Sequence, residues 1–144
     1  MVYKIIKTAP LLIILISISF LISCKKQEQE KPLNDSFDKN GATLISQANF
    51  SSNAHTTSGC VKVYSKNGIK NLVFEGFKTD SGPDLRVYVS KTTTNSDFVD
   101  IATLKTTNGN FYYSFDNSIN TVDYKYVLIW CEDFSVLFGN ALLQ

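Results

Sequence analysis

Short runs in which apolar and polar residues alternate organise the chain from Ala42 onward, and no long stretch repeats with the helical period of about 3.6 residues. The segment VKVYSKNGIKNLVFEGF, residues 61–77, has such runs on both sides of Asn67-Gly68. Asn-Gly between two alternating runs is typical of a β-hairpin, because both residues tolerate the positive φ angles of a tight turn. The sequence therefore predicts two antiparallel strands joined at Asn67-Gly68.

Further segments of the same kind extend the pattern over the rest of the chain. They are TLISQANF (43–50), GPDLRVYVS (82–90), LKTTNGNFYYSF (104–115), YKYVLIWC (124–131) and FSVLFGNALL (134–143). The second Asn-Gly, Asn108-Gly109, predicts another hairpin. About eight short strands in all predict an all-β fold, an antiparallel two-sheet sandwich or flattened barrel over residues 42–144.

The N-terminus has the features of an export signal. Lys4 and Lys7 precede the apolar run PLLIILISISFLIS, which ends in LISC at Cys24. The small residue before Cys24 resembles a bacterial lipobox, and we expect residues 1–23 to be a lipoprotein signal peptide with a signal helix and Cys24 to carry the lipid. A plain secretory signal and an uncleaved membrane anchor are the alternatives, since the run approaches the ~20 residues of a spanning helix.

Lipidation would place the domain on a membrane surface, outside the cytoplasm. Each buried acyl methylene contributes about 0.8 kcal/mol, so two or three chains anchor a protein without a spanning helix. Residues 24–41 are polar and highly charged, and they predict a flexible tether. We therefore expect a lipoprotein of the cell envelope that is attached to the membrane by its lipid anchor.

Net charge argues against a nucleic-acid partner. The chain has 14 Lys and Arg and 13 Asp and Glu. Without Lys4 and Lys7, 12 basic residues remain against the 13 acidic ones. A near-neutral domain lacks the excess of basic residues that favours binding to the phosphates of nucleic acids.

Two cysteines, Cys60 and Cys131, remain in the domain. In an oxidising compartment their default state is a disulfide, and we expect either this bridge or two free thiols. His55 is the only histidine and is expected in a loop. There is no C-x-x-C, no C-x-x-C-H for attaching haem c, and no Cys/His pair that defines a nucleophilic enzyme, so we expect no catalytic constellation.

Acidic residues near two predicted corners suggest a further site. Asp80 and Asp84 flank Gly82, and Glu132 and Asp133 follow Cys131. If the two corners meet, these four carboxylates form a candidate calcium site, since calcium prefers oxygen ligands. The alternative is that Asp80 only serves its turn.

The chain resembles the DM-thirteen family, a small extracytoplasmic β module described as an electron-transfer domain. The resemblance is carried by HTTSGCVKVY, NLVFEGFKTDSGPDLRVYVS, FVDIATLK and YVLIWCEDFSVLFGNALL. The last segment is the most specific, with an aromatic-Cys pair, Trp130-Cys131, followed by F-x-V-x-F-G. Cys60 departs from the family pattern, in which a residue such as Thr follows the glycine.

The resemblance implies a redox role for Cys131 beside Trp130, either as a thiol or as a ligand of a prosthetic group such as haem. Two functions follow as hypotheses. The first is an electron-transfer module with a redox protein partner. The second is a non-enzymatic surface binding module, stabilised by a Cys60–Cys131 disulfide and able to bind calcium.

Overall fold

The computed structural model describes residues 31–94 and 96–144. The predicted signal peptide (1–23), the lipidation site Cys24 and the first residues of the tether lie outside this range. Within it, no helix has the length and apolar character needed to cross a membrane.

Ten strands are present in the described part of the chain. They are β1 (Leu33–Asn34), β2 (Thr43–Asn49), β3 (Ser51–Ser52), β4 (Thr57–Lys66), β5 (Ile69–Thr79), β6 (Leu85–Ser90), β7 (Phe98–Thr103), β8 (Asn108–Phe115), β9 (Tyr126–Cys131) and β10 (Val136–Leu142). Eight of them have six or more residues, and β1 and β3 are two-residue pieces. The all-β prediction is confirmed.

The strands form two five-stranded sheets that face each other. The first sheet has the order β1-β8-β5-β4-β2, and the second has the order β3-β10-β9-β6-β7. All neighbours are antiparallel except β1 and β8, which are parallel. The sheets are not closed into a barrel, so the fold is a sandwich.

The core lies between the sheets and follows the period-two pattern of the sequence. In the first sheet, Val61, Val63, Leu72 and Phe74 are fully buried. In the second sheet, the alternating residues of β6 and β9 meet them: Leu85, Val87, Val89, Val127, Ile129 and Cys131. Inward apolar residues from both sheets therefore make one core.

The two Asn-Gly pairs have different roles. Asn67 and Gly68 have φ angles of 51° and 76°, and they join β4 to β5 as predicted. Asn108 and Gly109 lie instead inside β8, in register with β5, so the predicted second hairpin is wrong. Strand β7, which precedes them, belongs to the other sheet.

Residues 33–40, which we call the strap, fall in the predicted tether but pack against the domain. Leu33 pairs in parallel with Gly109 on β8. The Phe37 ring lies on the outer face of the first sheet, with its centroid 5.5 Å from that of Tyr64 and 5.3 Å from that of Tyr112. The folded unit therefore begins before residue 42, because Leu33 and Phe37 find apolar partners.

Three ion pairs also hold the strap. They are Asp35–Lys105 at 2.9 Å, Asp38–Lys66 at 2.7 Å and Lys39–Glu75 at 2.6 Å. Each pair joins a strap residue to the first sheet or to the chain just before β8. The charged residues of the strap thus bind the folded domain, although the charged composition of residues 24–41 predicts a flexible tether.

Candidate functional site

Strand β9 presents different chemistry on its two faces. Val127, Ile129 and Cys131 point into the core between the sheets, whereas Leu128 and Trp130 lie on the outer face of the second sheet. This alternation follows from the two-residue period of a strand. Trp130 and Cys131 are therefore neighbours along the chain on opposite sides of one sheet.

Cys131 is fully buried in the main core. Its strand partners are Leu85 of β6 and Val136 of β10. The thiol thus lies among apolar side chains, where cysteine behaves as a small apolar residue.

Cys60 lies in the other sheet and on its outer side. It is half-buried on β4, in register with Asn49 and Glu75, and it lines a surface cleft together with Lys62 and Asn140. Both cysteines are free thiols, so the predicted Cys60–Cys131 disulfide is not formed. The physical reason is that Cys60 faces away from the sandwich, while Cys131 faces into it.

Trp130 belongs to a second, smaller apolar group that we call the outer cluster. Its buried members are Tyr88, Leu128 and Trp130, with Tyr126 and Leu137 packed against them. The indole is 7% exposed, and its Nε1 has no hydrogen-bond partner among residues 31–94 and 96–144. A buried donor without a partner is rare in folded proteins, because it loses its bond to water.

Tyr88 is a fully buried member of the outer cluster. Its hydroxyl donates a hydrogen bond to Glu132, which lies in the turn between β9 and β10. Its ring stacks on that of Phe98 of β7, with centroids 4.3 Å apart. Tyr88 thus links the outer cluster to Glu132, which follows Trp130 and Cys131 at the end of β9.

The four carboxylates of the candidate calcium site do not converge. Asp80 accepts hydrogen bonds from the Thr56 amide and from His55 Nδ1 at 3.3 Å, whereas Glu132 is bonded to Tyr88. Asp84 does meet the other corner, since its carbonyl accepts a bond from the Glu132 amide at 2.9 Å. In the part of the chain that the structure describes, no group of three or more Asp, Glu, His or Cys residues is placed to hold a metal ion.

Asp84 and Asp133 have no shared role with Asp80. The Asp84 carboxylate lies 4.0 Å from Arg86, and Asp133 is exposed in the β9–β10 turn. The calcium prediction is therefore corrected: Asp80 contacts His55 and Thr56 in the loop before β4, rather than a metal ion or its own turn.

His55 lies in a loop between β3 and β4, as expected. Its ring stacks on Phe138 with centroids 3.8 Å apart. It contacts Asp80 rather than Cys60 or Cys131, so neither of these cysteines forms a Cys/His pair in the described part of the chain.

Comparison with protein families gives one match, and it covers the site. The model described as "Electron transfer DM13" matches residues 49–143, more than half of the chain. The protein belongs to the DM13 family. Neither curated proteins nor solved structures gave a match.

The family resemblance raised the prospect of a haem held by Cys131, and the arrangement of this DM13 domain does not suit one. Cys131 lies in a packed core. Four clefts that we find on the described residues are lined by other side chains. A haem beside Cys131 would have to displace the apolar residues that hold the two sheets together.

Sequence reasoning located Trp130 and Cys131 in this DM13 domain, but it missed the part that Tyr88 and Glu132 play. Alternation along GPDLRVYVS places Tyr88 on the face opposite Leu85 and Val87, as the structure has it. The period of two gives the face of a strand, but it gives no hydrogen-bond partner. The one available signal was that Tyr88, an aromatic residue, alternates with the core positions of β6.

Proposed function

We propose that this DM13 protein is a membrane-anchored, extracytoplasmic electron-transfer module with Cys131 as a redox residue. The observation that carries the proposal is the position of Cys131 within the family match, at the end of β9 and beside Trp130. We also propose that it works with a redox protein partner and has no catalytic reaction of its own.

Burial limits how Cys131 takes part. Thiol–disulfide exchange requires a thiolate to reach a sulfur of the partner, and Cys131 is fully buried in the folded domain. Electron transfer needs no such contact between reacting atoms. We therefore propose that the reduced Cys131 thiol gives one electron to the oxidised centre of the redox partner through the protein and regains it in the reverse step, with Trp130 as its neighbour on the outer face of the sheet.

The membrane anchor is the second part of the proposal. It rests on the LISC motif and the charge and hydropathy pattern of residues 1–23. Mass spectrometry of the mature protein tests it directly. A diacylglyceryl and N-acyl group on Cys24 supports the anchor, whereas an unmodified Cys24 or an intact N-terminal segment contradicts it.

Cysteine labelling tests the placement of the two thiols. The third cysteine, Cys24, is first removed by Cys24→Ser. In that background the Cys60→Ser variant leaves Cys131 for labelling by a maleimide, and the Cys131→Ala variant leaves Cys60. We expect Cys60 to react in the native protein and Cys131 to react only after denaturation, because one is half-buried and the other is fully buried. Rapid native labelling of Cys131 would contradict the proposed burial.

Voltammetry tests the redox role. We expect wild-type protein and the Cys60→Ser variant to give the same thiol oxidation wave, and the Cys131→Ala variant to lose that wave. Alanine is chosen because a serine hydroxyl in the apolar core would lack a partner and destabilise the fold. An unchanged signal in Cys131→Ala would exclude Cys131 as the redox residue.

The alternative of a surface binding module has less support. It depended on a Cys60–Cys131 disulfide and on a calcium site, and the described residues form neither. We therefore propose the electron-transfer function alone.

A further inference from the structure

Tyr88 combines burial, which shields a radical from side reactions, with a base within reach of its hydroxyl. Its side chain is fully buried, and its hydroxyl donates a hydrogen bond to the carboxylate of Glu132. Glu132 itself is exposed in the β9–β10 turn. A buried phenol is thus connected through one hydrogen bond to a group that exchanges protons with water.

This connection matters because a phenol that loses an electron becomes a strong acid. Oxidation at neutral pH therefore requires a base that takes the hydroxyl proton, and a carboxylate within hydrogen-bond distance can act as one. The buried Tyr113 offers a comparison, since its hydroxyl donates to the backbone carbonyl of Thr103, which is no base. Among the described tyrosines, Tyr88 is the one whose hydroxyl donates to a carboxylate.

Trp130 lacks the property that Tyr88 has. Its Nε1–H finds no acceptor among the described residues, so oxidised Trp130 would have to keep its proton and its positive charge. A positively charged Trp130 in this apolar cluster would be a buried charge without a partner, which is costly. If the outer cluster loses an electron, Tyr88 is therefore the residue that is oxidised.

The outer cluster also reaches the surface at Tyr88. The ring of Phe98 stacks on that of Tyr88 and is 36% exposed. A redox partner that contacts Phe98 would come within one aromatic ring of the buried phenol. The electron and the proton thus leave by different side chains, Phe98 and Glu132.

We propose that Tyr88 and Glu132 form a proton-coupled redox pair. The phenol gives one electron to an oxidised one-electron acceptor, the metal centre of a partner redox protein. At the same time, the O–H bond of Tyr88 breaks and an O–H bond forms on Glu132. The products are a neutral tyrosyl radical, a protonated Glu132 carboxyl and the reduced acceptor, and electron return reverses each change.

The pair deepens the proposed electron-transfer function and rests on it, but its test does not use Cys131. Flash photolysis of the full-length protein with photogenerated tris(bipyridine)ruthenium(III) supplies the one-electron oxidant. Transient absorption and electron paramagnetic resonance detect a tyrosyl radical. We expect the wild-type protein to form the radical with a slower rate in D₂O than in H₂O, because proton transfer accompanies the electron.

Two variants remove one half of the pair each. We expect Tyr88→Phe to remove the fast phase of radical formation and leave the slower oxidation of the other tyrosines. We expect Glu132→Gln to slow the fast phase about 100-fold and remove its solvent isotope effect, since a positioned base contributes on that order. Glu132 is exposed, so Glu132→Gln keeps the fold even if Tyr88→Phe disturbs the outer cluster. Tyr113→Phe is the matched control, and we expect the wild-type radical there.

Unchanged radical formation in either Tyr88→Phe or Glu132→Gln would overturn the proposal. Loss of the radical in Tyr113→Phe alone would overturn it as well, because the oxidised residue would then be Tyr113. Failure of the Cys131 voltammetry leaves this radical unaffected, and failure of the radical leaves the voltammetry unaffected. The two results therefore distinguish the pair from the role of Cys131.

Discussion

Gly139 of β10 leaves the space that the Thr57 side chain of β4 occupies, and a Cβ added to Gly139 would overlap that side chain. Thr57 is buried and shares a hydrogen bond of 2.9 Å with Thr79. Gly139→Ala should therefore lower the free energy of unfolding by about 1–3 kcal/mol, the usual cost of overpacking. Urea unfolding followed by tryptophan fluorescence measures the change.

Gly82→Ala is the control for this prediction. A Cβ at Gly82 would meet the ends of the Leu85 and Phe138 side chains, at 2.9 and 3.0 Å, and these can shift. The loss of stability should be smaller than for Gly139→Ala. Equal losses for the two variants would mean that the contact with Thr57 does not limit residue size at Gly139.

Phe37 should contribute to stability although it lies in the segment predicted to be a tether. Its ring packs on Tyr64 and Tyr112. Phe37→Ala should lower the free energy of unfolding by about 1–2 kcal/mol, because apolar area and two aromatic contacts are lost. Val122→Ala is the control, since Val122 is 80% exposed, and its effect should stay within about 0.5 kcal/mol. A wild-type stability for Phe37→Ala would show that the strap does not hold to the sheet in solution.

The sequence was sufficient for the fold class because strand signals are local. Alternation gave the buried faces of β4, β5, β6 and β9, and Asn67-Gly68 gave a turn. The second Asn-Gly pair, Asn108-Gly109, was predicted to form a turn but lies in a strand. The reason is a contact with residues far away in the sequence. Gly109 has a φ of 139°, and a Cβ there would overlap the backbone of Leu33. Glycine is needed because β1 approaches closely, and no local pattern shows which segment does so.

The candidate site was predicted in part for a similar reason. The resemblance located Trp130 and Cys131, and the period of two placed them on opposite faces. The disulfide failed because cysteine content and compartment do not tell which sheet a strand joins. The contact between Tyr88 and Glu132 joins residues 44 positions apart, and it depends on how β6 and β9 pair.

Glu75 should make the stability of the domain sensitive to acid. Burial acts to raise the pKa of Glu75, but hydrogen bonds from Lys39 and Lys62 outweigh it, and the pKa lies below the ordinary value. A carboxyl with a lowered pKa stabilises the fold above its unfolded pKa, and this stability is lost as the pH falls through the folded pKa. Glu75→Gln should therefore be less stable than wild type at neutral pH by about 0.5–1 kcal/mol.

Urea unfolding of both proteins at several pH values tests this prediction. The difference between wild type and Glu75→Gln should shrink in acid, as the wild-type carboxyl becomes protonated. It should also shrink at high salt, because Lys39 and Glu75 are partly exposed and salt screens their attraction. A difference that persists unchanged in acid would assign the effect of the substitution to packing instead of charge.

Tyr113 should make the domain lose stability in strong base. Burial raises the pKa of Tyr113 from 10.0 to about 12, although a hydrogen bond from the Lys105 amide acts to lower it. An acid with a raised pKa favours the fold fully below its unfolded pKa, so the stability is lost as the pH rises from 10.0 towards about 12. The shift corresponds to about 2–3 kcal/mol.

Tyr113→Phe should be less stable at neutral pH, because the Lys105 amide and the Thr103 carbonyl lose their partner, but it should lack this share of the alkaline loss. Unfolding measured across this range compares the two slopes, and parallel slopes would contradict the prediction.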